Sequence, residues 1–184
     1  MKTESFVDFY QKLLADALDA ENQLIKALPR MAKAASKDEL RNAFEEHLKQ
    51  TKEHARRIEQ ILQSADINPK RTKCKGMQGL IEEGAEIIEE FDEGELRDAA
   101  LITAAQKVEH YEISGYGSLR TLASLPGEND AQARLEETLQ EEKDTDQRLN
   151  QIAESINVEA LETEEERVEI QSEKRSGRGR QRVA

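Results

Sequence analysis

Four stripes of apolar residues at helical spacing run through this chain, and each is interrupted near its middle by polar residues. Tyr10, Leu14, Ala17, Leu24, Leu28 and Met31 share one helical face, with Glu21 at its centre. Leu40, Phe44, Ile58 and Ile61 mark a second face, broken by His47, Thr51 and His54. Leu101, Ala105, Val108, Leu119 and Leu122 mark a third, broken by Glu112. Leu135, Leu149, Ile152 and Ile156 mark a fourth, broken by Thr138, Glu142 and Thr145. Faces of this kind bury themselves against one another, which restricts the chain to packed helices. An unpaired carboxylate in such an interior costs several kcal/mol. Several converging carboxylates therefore need a compensating cation, and a metal ion is the simplest.

Composition supports the helical reading and narrows the function. The 184 residues suffice for one domain with a real core plus a tail. Ala, Glu, Lys, Leu, Gln and Arg dominate, with no Trp and three Pro. A net charge of −12 argues against a nucleic-acid footprint on the folded part. Cys74 is the single cysteine, so one chain can build neither an internal disulfide nor a thiolate metal site. The start, MKTESFVDFYQ, has no apolar secretion segment, and no stretch approaches about 18 apolar residues. The expectation is a soluble cytoplasmic protein that does not cross a membrane. No Gly-rich phosphate loop, Ser/His/Asp set or CxxC pair is present, which leaves hydrolase, kinase and thiol-redox readings without support.

The punctuation between the stripes predicts their connectivity. A first helix runs from Ser5 to Ala35, with Ser5 as N-cap, Asp8 three residues on, and Pro29 inside it where a kink is expected. Ser36, with Glu39 three residues later, predicts the cap of a second helix reaching Ala65. Residues 66–74 read as a loop by the Asn68-Pro69 pair and its basic cluster. Met77, Leu80, Ile81, Ala85 and Ile88 predict a short amphipathic helix within 76–91, ended by Asp92-Glu93-Gly94. A third long helix covers 95–125 and stops at Pro126-Gly127; a fourth covers 130–156. Two tight hairpins joined by a long segment read as an all-α antiparallel four-helix bundle, with one long crossover carrying the short extra helix. Residues 1–158 would form the bundle. Residues 159–184, acidic and then Arg-rich, lose the periodicity and are expected to be a disordered charged tail.

The hairpins repeat each other. Glu21 and Glu112 differ by 91 positions, as do Thr51 and Glu142, and at that offset EEHLKQTKEHARRIEQI lies over EETLQEEKDTDQRLNQI. Leu48 falls on Leu139, Arg57 on Arg148, Ile58 on Leu149 and Ile61 on Ile152. A pseudo-twofold arrangement places one set of polar residues opposite another. With a turn near Ser36 and a rise of about 1.5 Å per residue, Thr51 and His54 lie level with Glu21, and His47 one turn nearer the turn. In the second hairpin Glu112 lies level with Glu142, with Glu109 one turn away near Thr145 and Asp146. The predicted layer is Glu21, His47, His54, Glu112 and Glu142, bordered by Glu109 and Asp146. Carboxylates with imidazole and no sulfur suit iron or manganese, and their number suits two ions; zinc needs fewer groups. Glu53, Glu59, Glu90, Glu137 and most of the run 141–143 other than Glu142 read as solvated surface. Tyr111 and Tyr116 read as packing residues, one of which could hydrogen-bond a ligand. Cys74 reads as incidental.

The segments AENQLIKALPRMAKA, HLKQTKEH, KCKGMQGLIEE, RDAALITAAQKVEHYEI and TLQEEKDTDQRL carry a resemblance that extends from Thr3 through Val158. The chain resembles the YciF/YciE-type ferritin-like stress proteins. That resemblance implies a dimer-forming four-helix bundle with a dimetal site, a place in bacterial stress responses, and peroxide handling. Wider kinship is to rubrerythrins and ferritins, whose pattern has Glu on the first and third helices and Glu-x-x-His on the second and fourth. Glu21 and Glu112 fit; His54 fits but its Glu position is Thr51; Glu142 fits but its His position is Thr145. Neutral hydroxyls weaken a coordination shell, and His47, Glu109 and Asp146 are the neighbours able to compensate.

Three functions are consistent with these residues. The layer could hold two ions that decompose peroxide in a peroxidase- or catalase-like way, hold ions without turnover, or serve only to fix helix register.

Overall fold

The computed structural model describes residues 5–65, 67, 72–124 and 129–180. Five helices follow in order: α1 (Phe6–Ala34), α2 (Asp38–Ser64), α3 (Lys75–Glu90), α4 (Glu95–Ser124) and α5 (Asn129–Arg180). Among the described residues there is no strand. α1 stays helical through Pro29, which is solvent-exposed. The Pro-Gly stop expected at 126–127, and Asn68-Pro69, lie outside the described residues.

Each long helix packs against two others: α1 on α2 and α4, α5 on α4 and α2. Neighbours run antiparallel. Gln60 meets Arg134 and Glu46 meets Arg148 between α2 and α5, while Gln106 meets Asn150 and Arg120 meets Glu136 between α4 and α5. α2 and α4 consequently point the same way, and the segment containing α3 spans between their ends. α3 lays Met77 into the core against α1 and α4.

The helix starts divide into local and tertiary solutions. Ser5 caps α1 as its sequence predicts, accepting from the Asp8 amide at 3.0 Å. Ser36 does not cap α2. The N-cap is Lys37, without a side-chain cap bond, and Asp98 of α4 accepts the Ser36 and Lys37 amides instead, each at 2.8 Å. A carboxylate meets amide dipoles more strongly than a serine hydroxyl does, so the tertiary cap wins. Ser36 is released to accept from the Gly94 amide at 3.0 Å. Gly94 has φ +148, which a side chain would disfavour. The two hairpins thus cap each other.

α5 continues past Ile156, where the apolar stripe ends, to Arg180. Residues 159–175 lack Gly and Pro and are rich in Glu, Arg and Lys, so the helix has no local reason to stop. Its first part still belongs to the packed body: Ala160 is 9% exposed and Glu159 pairs with Lys37 at 2.5 Å.

The interior is two apolar clusters. Leu24, Leu28, Leu40, Phe44, Leu101, Ile102, Leu149 and Ile152 fill one; Leu14, Ile58, Ile61, Leu119, Leu135 and Leu139 fill the other. The polar residues at the stripe midpoints lie between them.

Candidate metal centre

Glu21, Thr51, His54 and Glu142 are each no more than 1% exposed, and His47, Glu109 and Glu112 are buried beside them. Their burial follows from the same helical period that buries the leucines, because each occupies a core-facing position in its stripe.

Among the described residues, two overlapping groups emerge. His47, Glu109, Glu112 and Glu142 form one, and Glu21, His54 and Glu142 the other; within each group one potential ligand atom per residue lies within 4.8 Å of the others. Glu142 belongs to both. The structure therefore brings together six of the seven residues expected from sequence. Asp146 stands apart, facing His110 Nε2 at 3.4 Å on the flank of the layer.

The two histidines present opposite nitrogens. His54 turns Nδ1 inward, 3.0 Å from Glu142 and 3.8 Å from Glu21. His47 turns Nε2 inward, 3.3 Å from Glu109 and 3.9 Å from Glu142. The hydroxyls at the two departing positions turn away from the centre. Thr51 donates to the His47 carbonyl at 2.8 Å, and Thr145 donates to the Glu141 carbonyl at 3.0 Å while standing 3.4 Å from His47 Nδ1. His47 and Glu109 occupy the space next to Thr145.

Electrostatics show how costly this grouping is. Burial, and then the Glu142 charge, push Glu21 up to about 8. Burial and neighbouring carboxylates hold Glu109 and Glu112 well above the usual carboxylate range. Burial opposes ionisation of Glu142 too, but the close approach of His54 and the His47 charge outweigh it and hold that carboxyl low. Desolvation lowers His47. Desolvation also acts against charge on His54, yet Glu141 and Glu142 overcome it and raise the ring to about 10. Among the described residues, both oxygens of Glu112 and of Glu142, one each of Glu21 and Glu109, and the inward nitrogens of both histidines have no hydrogen-bond partner. Such a concentration of buried polar atoms without protein partners marks the layer as a candidate site.

Three residues that shape the centre carried little sequence signal. Glu141, expected on the solvated surface, is 28% exposed and binds His54 Nε2 at 2.8 Å. Arg57, visible only as a repeat position, is buried and holds Glu141 through both Nη atoms while its Nη1 reaches Thr138 at 3.2 Å. Glu141 is accordingly held down at about 2, burial being outweighed by His54 and Arg57. Tyr116 donates its hydroxyl to Glu21, so it is more than packing. The spacing Arg57–Glu141 crosses hairpins, which no local pattern reveals. Cys74 is buried with Sγ 3.0 Å from the Tyr111 hydroxyl, at the start of α3.

Known proteins share this architecture. The profile of a domain of unknown function, DUF892, matches residues 5–162. The chain is 47% identical over 154 residues to protein YciF of Escherichia coli (strain K12), covering 83% of this chain and 93% of YciF. The crystal structure of that stress protein superposes with a TM-score of 0.81, over 83% of this chain and 97% of the other. YcfI of Rhodopseudomonas palustris superposes with a TM-score of 0.77 at 34% identity, over 81% and 95% of the two chains. A Xanthomonas campestris protein, at 22% identity and a TM-score of 0.69 over 88% and 99%, shares the fold. Matched by the family profile over 5–162 and by sequence and fold to these relatives, the chain belongs to the DUF892 family, as a homologue of the stress protein YciF.

Proposed function

We propose that this protein is a ferritin-like four-helix bundle that holds two metal ions, iron first and manganese second, and handles peroxide in the cytoplasm under stress. Glu21, His47, His54, Glu109, Glu112 and Glu142 would hold the ions, with Asp146 at the border. The observation that carries the reading is one of charge. Four carboxylates and two imidazoles share one dry layer. With both imidazoles neutral, as ligation requires, four negative charges remain, and two divalent cations cancel them. The donor set of oxygen and nitrogen without sulfur suits iron or manganese.

Bound ions supply Lewis acidity and electron exchange toward peroxide. The chain's own residues do the rest. Glu142, common to both groups, ties the two ligand sets together. Glu141 and Arg57 orient His54 from outside, as outer partners of metal-binding histidines do. Tyr116 holds Glu21 in place, and the two apolar clusters close the bundle interior above and below the layer. A homodimer accompanies this reading by family resemblance.

Elemental analysis of protein purified without added metal, with anomalous scattering at the iron and manganese edges, tests it directly. About two ions per chain are expected, with peroxide consumption that disappears in Glu112→Gln. Peroxide turnover at full rate by metal-free protein, or no transition metal bound at all, overturns it. A second reading, ions held without turnover, is favoured if metal binds stoichiometrically and peroxide persists.

A further inference from the structure

One face of the metal layer is not closed. Between α1 and α4 lies a groove of about 210 Å³, lined by Asp16, Ala17, Glu21, Glu112, Gly115 and Tyr116 among others. Glu21 and Glu112, 1% and 4% exposed, form its floor, and both oxygens of Glu112 are without a hydrogen-bond partner among the described residues. The rim is small. Ser114, Gly115 and Ser118 are exposed, and a Cβ built on Gly115 meets no atom within 4 Å. The space beside His47 and Glu109 differs: it is about 30 Å³, room for one water, and its lining is mostly apolar.

The groove is acidic. Asp16, Glu21 and Glu112 line it with carboxyl oxygens, and among the described residues no Lys, Arg or His does. A cleft with one sign of charge and low-dielectric walls draws opposite charge toward its floor and repels like charge. Asp16 sits at mid-depth on α1, half-buried, one helical turn and a residue before Glu21. It acts on the Tyr111 hydroxyl and the Cys74 thiol, which stand together at 3.0 Å, so its carboxylate lies toward the α3 side of the groove.

We propose that this groove is the port through which divalent cations reach the carboxylate layer, with Asp16 as the guiding charge and Glu112 as the first internal ligand. The port rests on the metal-binding reading above. The absence of side chain at Gly115 keeps it open, which gives that glycine a role in uptake that the helix itself does not require.

Cobalt(II), followed by stopped-flow absorption, is a suitable probe because its spectrum reports coordination without oxidation chemistry. Gly115→Trp, which places a ring over open space, is expected to slow cobalt uptake by about tenfold or more while the final cobalt-to-protein ratio stays at the wild-type value. Asp16→Asn is expected to slow uptake a few-fold and to flatten its dependence on salt. Helix content and melting temperature verify that both variants are folded, and Asp16→Asn carries the test should Gly115→Trp not fold. Wild-type uptake rates in both variants overturn the port, as does a changed oligomeric state of Gly115→Trp with no change in uptake. A reduced final ratio at an unchanged rate also overturns it. Wild-type protein that takes up no cobalt at all overturns the metal-binding reading, and the port with it.

Discussion

Glu141 holds the outward nitrogen of His54 at 2.8 Å, so a carboxylate on one hairpin fixes the orientation of a core histidine on the other. Arg57 grips that carboxylate from behind. Nε2 is thereby committed to Glu141, and Nδ1 is left to face Glu142 and Glu21. Glu141→Ala should therefore leave the ligands present but the ring free to turn. Metal affinity is expected to fall by about 10–100-fold, as for other outer partners of ligating histidines. Competition against a chromogenic chelator measures this, and wild-type affinity in the variant would show that core packing alone orients His54.

Among the described residues, Glu112 contributes two buried oxygens without a hydrogen-bond partner. In metal-free protein these are an uncompensated cost, and the neighbouring Glu21 and Glu142 charges add to it. Glu112→Leu is expected to stabilise the metal-free protein by about 1–3 kcal/mol and to abolish uptake of a full metal complement. Urea denaturation with and without chelator separates the two effects. A destabilised metal-free variant would show that Glu112 is satisfied in a way the structure does not display.

The pH dependence of the metal-free protein follows from the same layer. Glu21, ordinarily at 4.5, is raised to about 8, so the folded protein retains a proton that the unfolded chain has released. That contribution is complete below 4.5 and is lost as pH rises toward about 8. His54 behaves alike: raised from 6.5 to about 10, it stabilises fully below 6.5 and ceases to do so as pH passes about 10. Glu141, lowered from 4.5 to about 2, acts in the opposite sense, and its contribution disappears as pH falls through that interval. Metal-free protein should thus melt at progressively lower temperature from about pH 5 to 10, whereas ion-loaded protein, whose ligands are already deprotonated, should resist the change. Calorimetry across that range, in chelator and in added metal, checks it; parallel curves would contradict it.

Asp98 accepts two amides at 2.8 Å while fully buried, and this couples the start of α4 to the start of α2. Asp98→Ala leaves both donors unsatisfied in the interior. A loss of about 2–3 kcal/mol in denaturation free energy is expected, with Asp98→Asn losing less because its oxygen can still accept. Ser36→Ala should cost less than Asp98→Ala, since Ser36 caps only the Gly94 amide; the reverse order would restore the local capping box.

Sequence alone located the five helices, though not the extension of α5 from 156 to Arg180, and it determined the chemistry of their interiors. Period, capping at Ser5 and the Gly94 break are local properties, set by side chains within a few residues of one another, and so they are legible in one dimension. The 91-residue repeat added which helices correspond, and level counting from the hairpin turn placed Glu21, His47, His54, Glu112 and Glu142 in one layer, with His47 a turn off level and Glu109 at the border. It also brought Asp146 to the border, but height does not fix azimuth, and that residue faces His110 outside the two groups.

Tertiary structure decided everything that depends on a partner from the other hairpin. Whether Glu141 points to water or to His54, whether Ser36 or Asp98 caps α2, which nitrogen each histidine presents, and where an opening remains between α1 and α4 are all fixed by how the helices rotate against each other. Such rotations are set by close packing of many side chains at once. No window of the chain contains them, because the partners are far apart in sequence, by 61 residues for Lys37 and Asp98 and by 87 for His54 and Glu141.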